Sequence, residues 1–215
     1  MTIFWYGQSC FKIQSADIII VIDPFVKDIG LTPPRFRADI VLTTHNHKDH
    51  ANVGTLAGSP FLISGPGEYE IKGLQILGIE TFHDDQSGSI RGTNTIFILT
   101  VEGMRVVHMG DFGEAGLRSE TLEAIGNVDV LMIPVGGGYT IDGRTAAKII
   151  NQIEPGYVIP MHYRIPGLTI DLALPDIFLK EMGSPNIAPQ EKLALKKKDM
   201  LNEDKKTQIV MLTHS

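Results

Sequence analysis

Cysteine is almost absent: the 215 residues contain one, Cys10. A lone thiol forms no internal disulfide and builds no thiolate-rich zinc site, so Cys10 reads as a small core residue. Long apolar runs are missing too. No stretch approaches the roughly eighteen residues of a membrane span. The opening MTIFWYGQSC lacks the basic region and apolar segment of a signal peptide, so the expectation is a cytoplasmic protein. Positive charge is in deficit, with a formal net charge of −6. That balance gives no electrostatic reason to expect a nucleic-acid partner. Repeats, low-complexity segments and dividing linkers are lacking, and the length suits one domain over residues 1–215. Hydrophobic residues make up 43%, enough for a sizeable core.

What the chain does contain is a dense polar stretch, IVLTTHNHKDH, at residues 40 to 50. The β-branched run Ile40-Val41-Leu42 predicts a buried strand, and His45, His47, Asp49 and His50 follow within a few residues of its end. Imidazole and carboxylate together suit zinc, manganese, iron or nickel better than an ion preferring all-oxygen ligands. Four such groups in one short loop cannot all reach one ion without contortion. They can divide between two neighbouring metals, which two-metal sites hold ~3.5–4 Å apart.

Around this loop the pattern alternates between strands and turns. Thr2 to Tyr6, Cys10 to Gln14 and Ile18 to Ile22 predict an antiparallel meander that ends at Asp23-Pro24. Asp23 is either a turn former or an acceptor that orients a histidine. Residues 26–38 read as loop, Ala51 to Leu56 as a short helix closed by Gly58, and Phe61 to Ser64 as a strand. The segment 65–73 is a turn leading into a strand that carries the solvated Glu68 and Glu70. Leu74 to Thr81 leads to His83. Thr95 to Val101 and Arg105 to Met109 form a hairpin through Glu102-Gly103, and the second of these leads to Asp111, with Gly110 and Gly113 permitting close approach to an ion. His108 reads as a core or supporting residue. A helix over Arg118 to Ile125, the apolar run Val128 to Val135 and a helix capped by Asp142 through Ile153 then follow. With the strand Tyr157 to Pro160 they predict a parallel crossover unit delivering His162. Pro175 to Met182 reads as a further helix, Lys196 to Lys198 as a solvated turn, Gln208 to Leu212 as a strand, and His214 as frayed.

The string His45-Asn46-His47-Lys48-Asp49-His50, followed by a lone His83, a lone Asp111 and a final His162, resembles the metal-binding set of the metallo-β-lactamase superfamily. The resemblance spans residues 45 to 162. It implies an α/β fold, the αββα sandwich, with two mixed β-sheets face to face and helices outside. It also implies that His45, His47 and His83 hold one divalent metal, that Asp49, His50 and His162 hold a second, and that Asp111 bridges. Two zinc ions are the first expectation, with manganese, iron or nickel as alternatives.

The implied activity is hydrolysis of a small-molecule ester, lactone or phosphoester by metal-bound hydroxide, with Asp49 also orienting the hydroxide or taking its proton. The alternative is a non-hydrolytic metal-binding scaffold or sensor. GQSCF near the start, IDP at 22–24, GD at 110–111 and IPMHY at 159–163 look most like the one-domain relatives of the ascorbate-6-phosphate lactonase group. Gln8 departs from that pattern, standing where such relatives often carry histidine. Tyr139, on a glycine-rich loop, is either a proton donor or substrate contact or a wall residue. Arg91 and Arg35 either meet an anionic group or are surface charges.

Overall fold

The β-rich runs of the first half pair as their alternation predicts. The computed structural model describes residues 1–200 and 206–214. Strands β1 (Thr2–Trp5), β2 (Phe11–Ser15) and β3 (Ile18–Ile22) form an antiparallel meander, with Trp5 opposite Phe11 and Phe11 opposite Ile22. Beyond them β4 (Ile40–Leu42) runs parallel to β3, and β5 (Phe61–Ile63) parallel to β4. All three residues of β4 are buried, as expected for a strand with partners on both sides.

A second sheet follows in the chain. It begins with β6 (Gly67–Ile71), β7 (Leu74–Phe82), β8 (Thr93–Val101) and β9 (Met104–His108), all joined antiparallel. Helix α1 (Ser119–Ile125) precedes β10 (Val130–Pro134), and helix α2 (Gly143–Ile153) connects β10 to β11 (Tyr157–Met161). β10 and β11 pair in parallel, which is the predicted crossover unit, and every residue of both is buried. Helix α2 starts at Asp142, whose carboxylate accepts the Thr145 N–H at 2.8 Å. Such a cap contributes about 1 kcal/mol. The helix stops at Glu154, in the left-handed region just ahead of Pro155. Its buried face, Ala146, Ala147, Ile149, Ile150 and Ile153, lies against β10 and against α3 (Asp176–Glu181).

Two short strands complete the sheets, β12 (Leu193–Ala194) beside β1 and β13 (Gln208–Ile209) beside β11. The orders are β12-β1-β2-β3-β4-β5 and β13-β11-β10-β9-β8-β7-β6. A hydrophobic cluster including Ile20, Ile40, Phe97, Val107, Leu131 and Val158 runs through both. This is the expected pair of mixed sheets.

Three local expectations change. The helix over Ala51 to Leu56 is a single 3-10 turn, Val53–Thr55, because Gly54 between two β-branched residues is a poor α-helix nucleus. The predicted strand to Leu212 is regular only over Gln208–Ile209; beyond it the Val210 N–H still donates to Val158 O at 2.8 Å and Leu212 forms an isolated bridge with Gln190. His214 is not frayed: it bridges to Trp5 and sets its ring edge-on to that indole at 6.2 Å. The lysine run is exposed and enters a 3-10 turn, Lys197–Met200, as expected, with Lys197 facing Asp129 at 3.6 Å. Among the described residues, no helix is long and apolar enough to cross a membrane.

Candidate metal centre

Four strand ends meet at one place. β4, in the first sheet, releases the loop carrying His45, His47, Asp49 and His50; β7, β9 and β11, in the second, end beside His83, Asp111 and His162. The structure brings all seven together in three overlapping groups: His45, His47 and His83; His45, His50 and Asp111; Asp49, His50 and His162. Within each group the candidate ligand atoms lie within 4.8 Å of one another. The His45 ring centroid is 4.5 Å from that of His47 and 4.7 Å from that of His83. Oδ2 of Asp111 sits at the centre, 3.3 Å from Nε2 of His50, 3.3 Å from Nε2 of His83 and 3.2 Å from Nε2 of His162. His50, His83, Asp111 and His162 are buried, whereas His47 is exposed and His45 and Asp49 are half-buried. The site therefore opens on the His47 side.

Backbone shape sets several of these positions. The turn after Thr44 is closed by the N–H groups of His50 and Ala51, both donating to His47 O at 3.0 Å. Gly110 has φ +57°, and a Cβ there would run into Oδ1 of Asn94 and the side chain of Thr44. That Asn94 oxygen accepts the Asp111 N–H at 2.9 Å, while Nδ2 of Asn94 donates to Met109 O. Asn94 thus fixes the direction in which Asp111 leaves β9. His162 also has positive φ, +51°, and its N–H donates to Gln8 O at 3.1 Å.

Asp23 determines which nitrogen of two rings is free. Its Oδ1 accepts the Thr44 N–H, and its Oδ2 accepts the Thr44 hydroxyl, each at 2.8 Å. Having given its proton to Asp23, the Thr44 oxygen can only accept from Nδ1 of His45, 2.9 Å away. Nδ1 of His50 likewise donates to Oδ2 of Asp23 at 2.8 Å. Both imidazoles are left with Nε2 as a lone pair, and both Nε2 atoms are buried without a hydrogen-bond partner. Of the two roles open to Asp23, the structure shows it orienting histidines.

The electrostatics ask for a cation. Burial lowers the His50 pKa, but the Asp111 and Asp23 carboxylates outweigh it and raise it well above its ordinary value, so the ring favours a positive charge at Nε2, from a proton or from a cation bound to the lone pair in its place. Burial likewise raises Asp111, yet His162 and His50 pull its carboxyl well below the usual range. His45 is lowered to about 2, first by burial and then by the charge of His50, so at neutral pH it offers a lone pair. Buried lone pairs turned toward a buried carboxylate fit a divalent ion that accepts from both.

Sequence reasoning missed the support given by Ser9, Asp84 and the Gln8 side chain, and found that of His108. Nε2 of Gln8 donates to Oδ2 of Asp49 at 3.1 Å, and the Ser9 hydroxyl donates to Oδ1 of Asp111 at 3.3 Å. His108 is fully buried; it receives the Gly110 N–H on Nδ1 and donates from Nε2 to Ser9 O at 2.9 Å. Asp84, next to His83, accepts four backbone N–H groups, from Gln86, Gly88, Ile90 and Arg91. The Asp-Asp pair ahead of a glycine-bearing loop is the sequence signal that points to such a turn. Glu68 and Glu70 lie on their strand away from the cluster and are exposed, as expected. A cleft of about 640 Å³ opens over the site, lined among others by His47, Asp49, His83, Asp111, His162, Arg91 and Tyr139. Tyr139 is 44% exposed there, with the Arg91 guanidinium over its ring at 5.4 Å. Arg35 is exposed and lines a different cleft.

Two mixed sheets with a histidine–carboxylate cluster across their strand ends define a class of metal-dependent hydrolases, and comparison with known proteins gives the same class. Residues 2–162 match the family described as the beta-lactamase superfamily domain. The chain is 28% identical over 205 residues to a UPF0173 metal-dependent hydrolase of Thermoplasma acidophilum, covering 82% of this chain and 87% of that one. It is 30% identical over 206 residues to a UPF0173 protein of Pyrococcus furiosus, covering 87% and 93%. A crystal structure of a candidate Zn-dependent hydrolase of the metallo-β-lactamase superfamily, from Thermotoga maritima, superimposes with a TM-score of 0.77 at 32% identity over 99% of both chains. The chain belongs to the metallo-β-lactamase superfamily and is a metal-dependent hydrolase.

Proposed function

We propose that the chain is a binuclear hydrolase, with His45, His47 and His83 around one ion, Asp49, His50 and His162 around the second, and Asp111 shared. The observation that carries this reading is the position of Asp111 Oδ2, within 3.3 Å of imidazole nitrogens from both sets. Zinc is the favoured metal, and manganese, iron or nickel suit the same donors. When bound, a pair of divalent ions acidifies water toward hydroxide near neutral pH and polarises the bond under attack.

The protein's own groups supply the positioning. Asp23 and Thr44 hold His45 and His50 in the tautomer that faces the cluster. Gln8 occupies one oxygen of Asp49 through a donated hydrogen bond, which leaves the other to orient water or take its proton. Asp49 is accordingly the catalytic carboxylate of this reading. Burial raises its pKa, but the hydrogen bond and charge of His50 outweigh that and keep it below the ordinary carboxylate range, so it is ionised at neutral pH. The substrate is a small ester, lactone or phosphoester, and the lactonase-like motifs favour starting with lactones. We further read residues 1–215 as one domain, supported by the hydrophobic cluster common to both sheets, and the protein as cytoplasmic.

Metal content per chain tests the reading, measured by elemental analysis of wild type, His83→Ala and Asp111→Ala purified without added metal. Two equivalents in wild type, falling in both variants together with hydrolysis of a lactone or phosphodiester panel, is the expected result. Full metal content and activity in Asp111→Ala would remove the shared-ligand assignment.

A further inference from the structure

Arg91 is the feature of the cleft that the metal-centre reading leaves unused. Its backbone is held in place: Oδ2 of Asp84 accepts the Arg91 N–H at 2.8 Å and the Ile90 N–H at 3.0 Å, one residue from His83. Its side chain crosses to the loop after β10, where one terminal nitrogen donates to Gly138 O at 3.4 Å and the guanidinium lies over the Tyr139 ring. A guanidinium carries five donors in a fixed fork and stays charged at any working pH. Only one of those donors is engaged, and among the described residues no carboxylate forms an ion pair with it. The cleft's own outer acids do not supply one. Asp171 is taken by Arg164 at 2.7 Å, and Asp28 makes no pair with Arg91.

A surface arginine that merely clasps two loops would look similar at first, since stacking on a tyrosine contributes about 0.5–1 kcal/mol at exposed sites. Two things separate this one. It is only half-exposed, on the wall of the same cleft as Asp111 and His162. Its position is fixed from both ends, by Asp84 at the backbone and by Tyr139 at the tip, which limits the ordering cost of binding a ligand. An arginine so presented matches a planar or tetrahedral oxyanion.

We propose that Arg91 sets the substrate class of the cleft by receiving an anionic group, carboxylate or phosphate, that the substrate carries away from the bond being hydrolysed. The inference rests on the hydrolase reading above and narrows it: the substrate is an ester, lactone or phosphoester with a second, charged end. Hydrolysis adds water across the scissile bond and leaves that anion unchanged, so Arg91 acts on recognition.

The test uses zinc-loaded protein and isothermal titration with ω-mercaptocarboxylates of three to five carbons, the matching mercaptoalkyl phosphates and the neutral mercaptoamides. The thiol is the metal-seeking end, and the other end reports on Arg91. Wild type is expected to bind the better anionic series at least about tenfold tighter than the amides, with carboxylate or phosphate identified by whichever series gains more. Arg91→Met should bring anionic and neutral probes within about twofold of each other, and Arg91→Lys should keep part of the preference. Equal affinities in wild type, or an undiminished preference in Arg91→Met with wild-type zinc content, would overturn the proposal. Failure of every probe, neutral ones included, to bind zinc-loaded wild type would instead overturn the metal-centre reading and this one with it.

Discussion

Asp23 and His50 are joined by a hydrogen bond of 2.8 Å, Oδ2 to Nδ1, with both side chains fully buried. The same carboxylate oxygen takes the Thr44 hydroxyl proton, and Thr44 in turn receives Nδ1–H of His45. One carboxylate outside the proposed ligand set thus fixes the tautomer of two members of it. Asp23→Asn places an NH2 group where one of these donors needs an acceptor. Metal affinity should fall about 10- to 100-fold, read by zinc titration of metal-free protein against a competing chelator. An unchanged affinity would mean that the ring orientations are set elsewhere.

His108 has a different expected signature. It touches Ser9 and Gly110 and is packed edge-on against Phe11 at 5.7 Å. His108→Ala should lower stability by about 2–4 kcal/mol through a cavity and a lost pair of hydrogen bonds. Metal stoichiometry at saturating zinc should remain that of wild type. Urea denaturation and elemental analysis on the same preparation separate the two effects.

Gly110→Ala combines a left-handed backbone with a collision against Asn94 and Thr44. A cost of about 1–3 kcal/mol is expected. Because the displaced Asn94 oxygen is the acceptor for the Asp111 N–H, metal content should fall along with the melting temperature. Val101→Ala, a core truncation away from the cluster, is the control: it should lower the melting temperature and leave metal content intact.

Asp84 makes an acid-side prediction. Burial raises its pKa, but the N–H groups of Arg91, Gln86, Ile90 and Gly88 outweigh that and lower it from 3.8 to about 2. A depressed folded-state value means that the carboxylate stabilises the fold fully above about pH 4, and that this contribution disappears as pH falls toward 2. Asp84→Asn should therefore be less stable than wild type at pH 7, with the difference shrinking below pH 4. Denaturant midpoints at pH 7, 4 and 2.5 check it; a pH-independent difference would assign the loss to packing.

The strands and the seven-residue cluster were legible because each is announced locally, by an apolar run and by the polar residues that end it. Asp23 was legible only as one of two readings, turn former or histidine orienter, since its partners Thr44 and His50 stand 21 and 27 residues away. Asn94 was silent: an amide at the start of a strand shows its role only once Met109 and Asp111 are folded beside it. The tail shows the opposite error. Val210 to Leu212 form a buried apolar run that reads as one strand, but it changes partner from Val158 to Gln190 and so breaks the regular ladder. Between Ala51 and Leu56 the apolar spacing was right but the length allowed only one turn.

The cluster draws one loop from the first sheet and three strand ends from the second, and its last member is His162. A ribosome-bound chain shorter than that lacks the last of the seven, and until the two sheets dock the loop after β4 is apart from His83, Asp111 and His162. Ion uptake is then a late event in the life of each molecule, available only to chains whose halves have found each other. Stopped-flow refolding in the presence of a zinc-sensitive dye would place uptake after sheet docking, so that the centre serves as a timestamp on the finished fold.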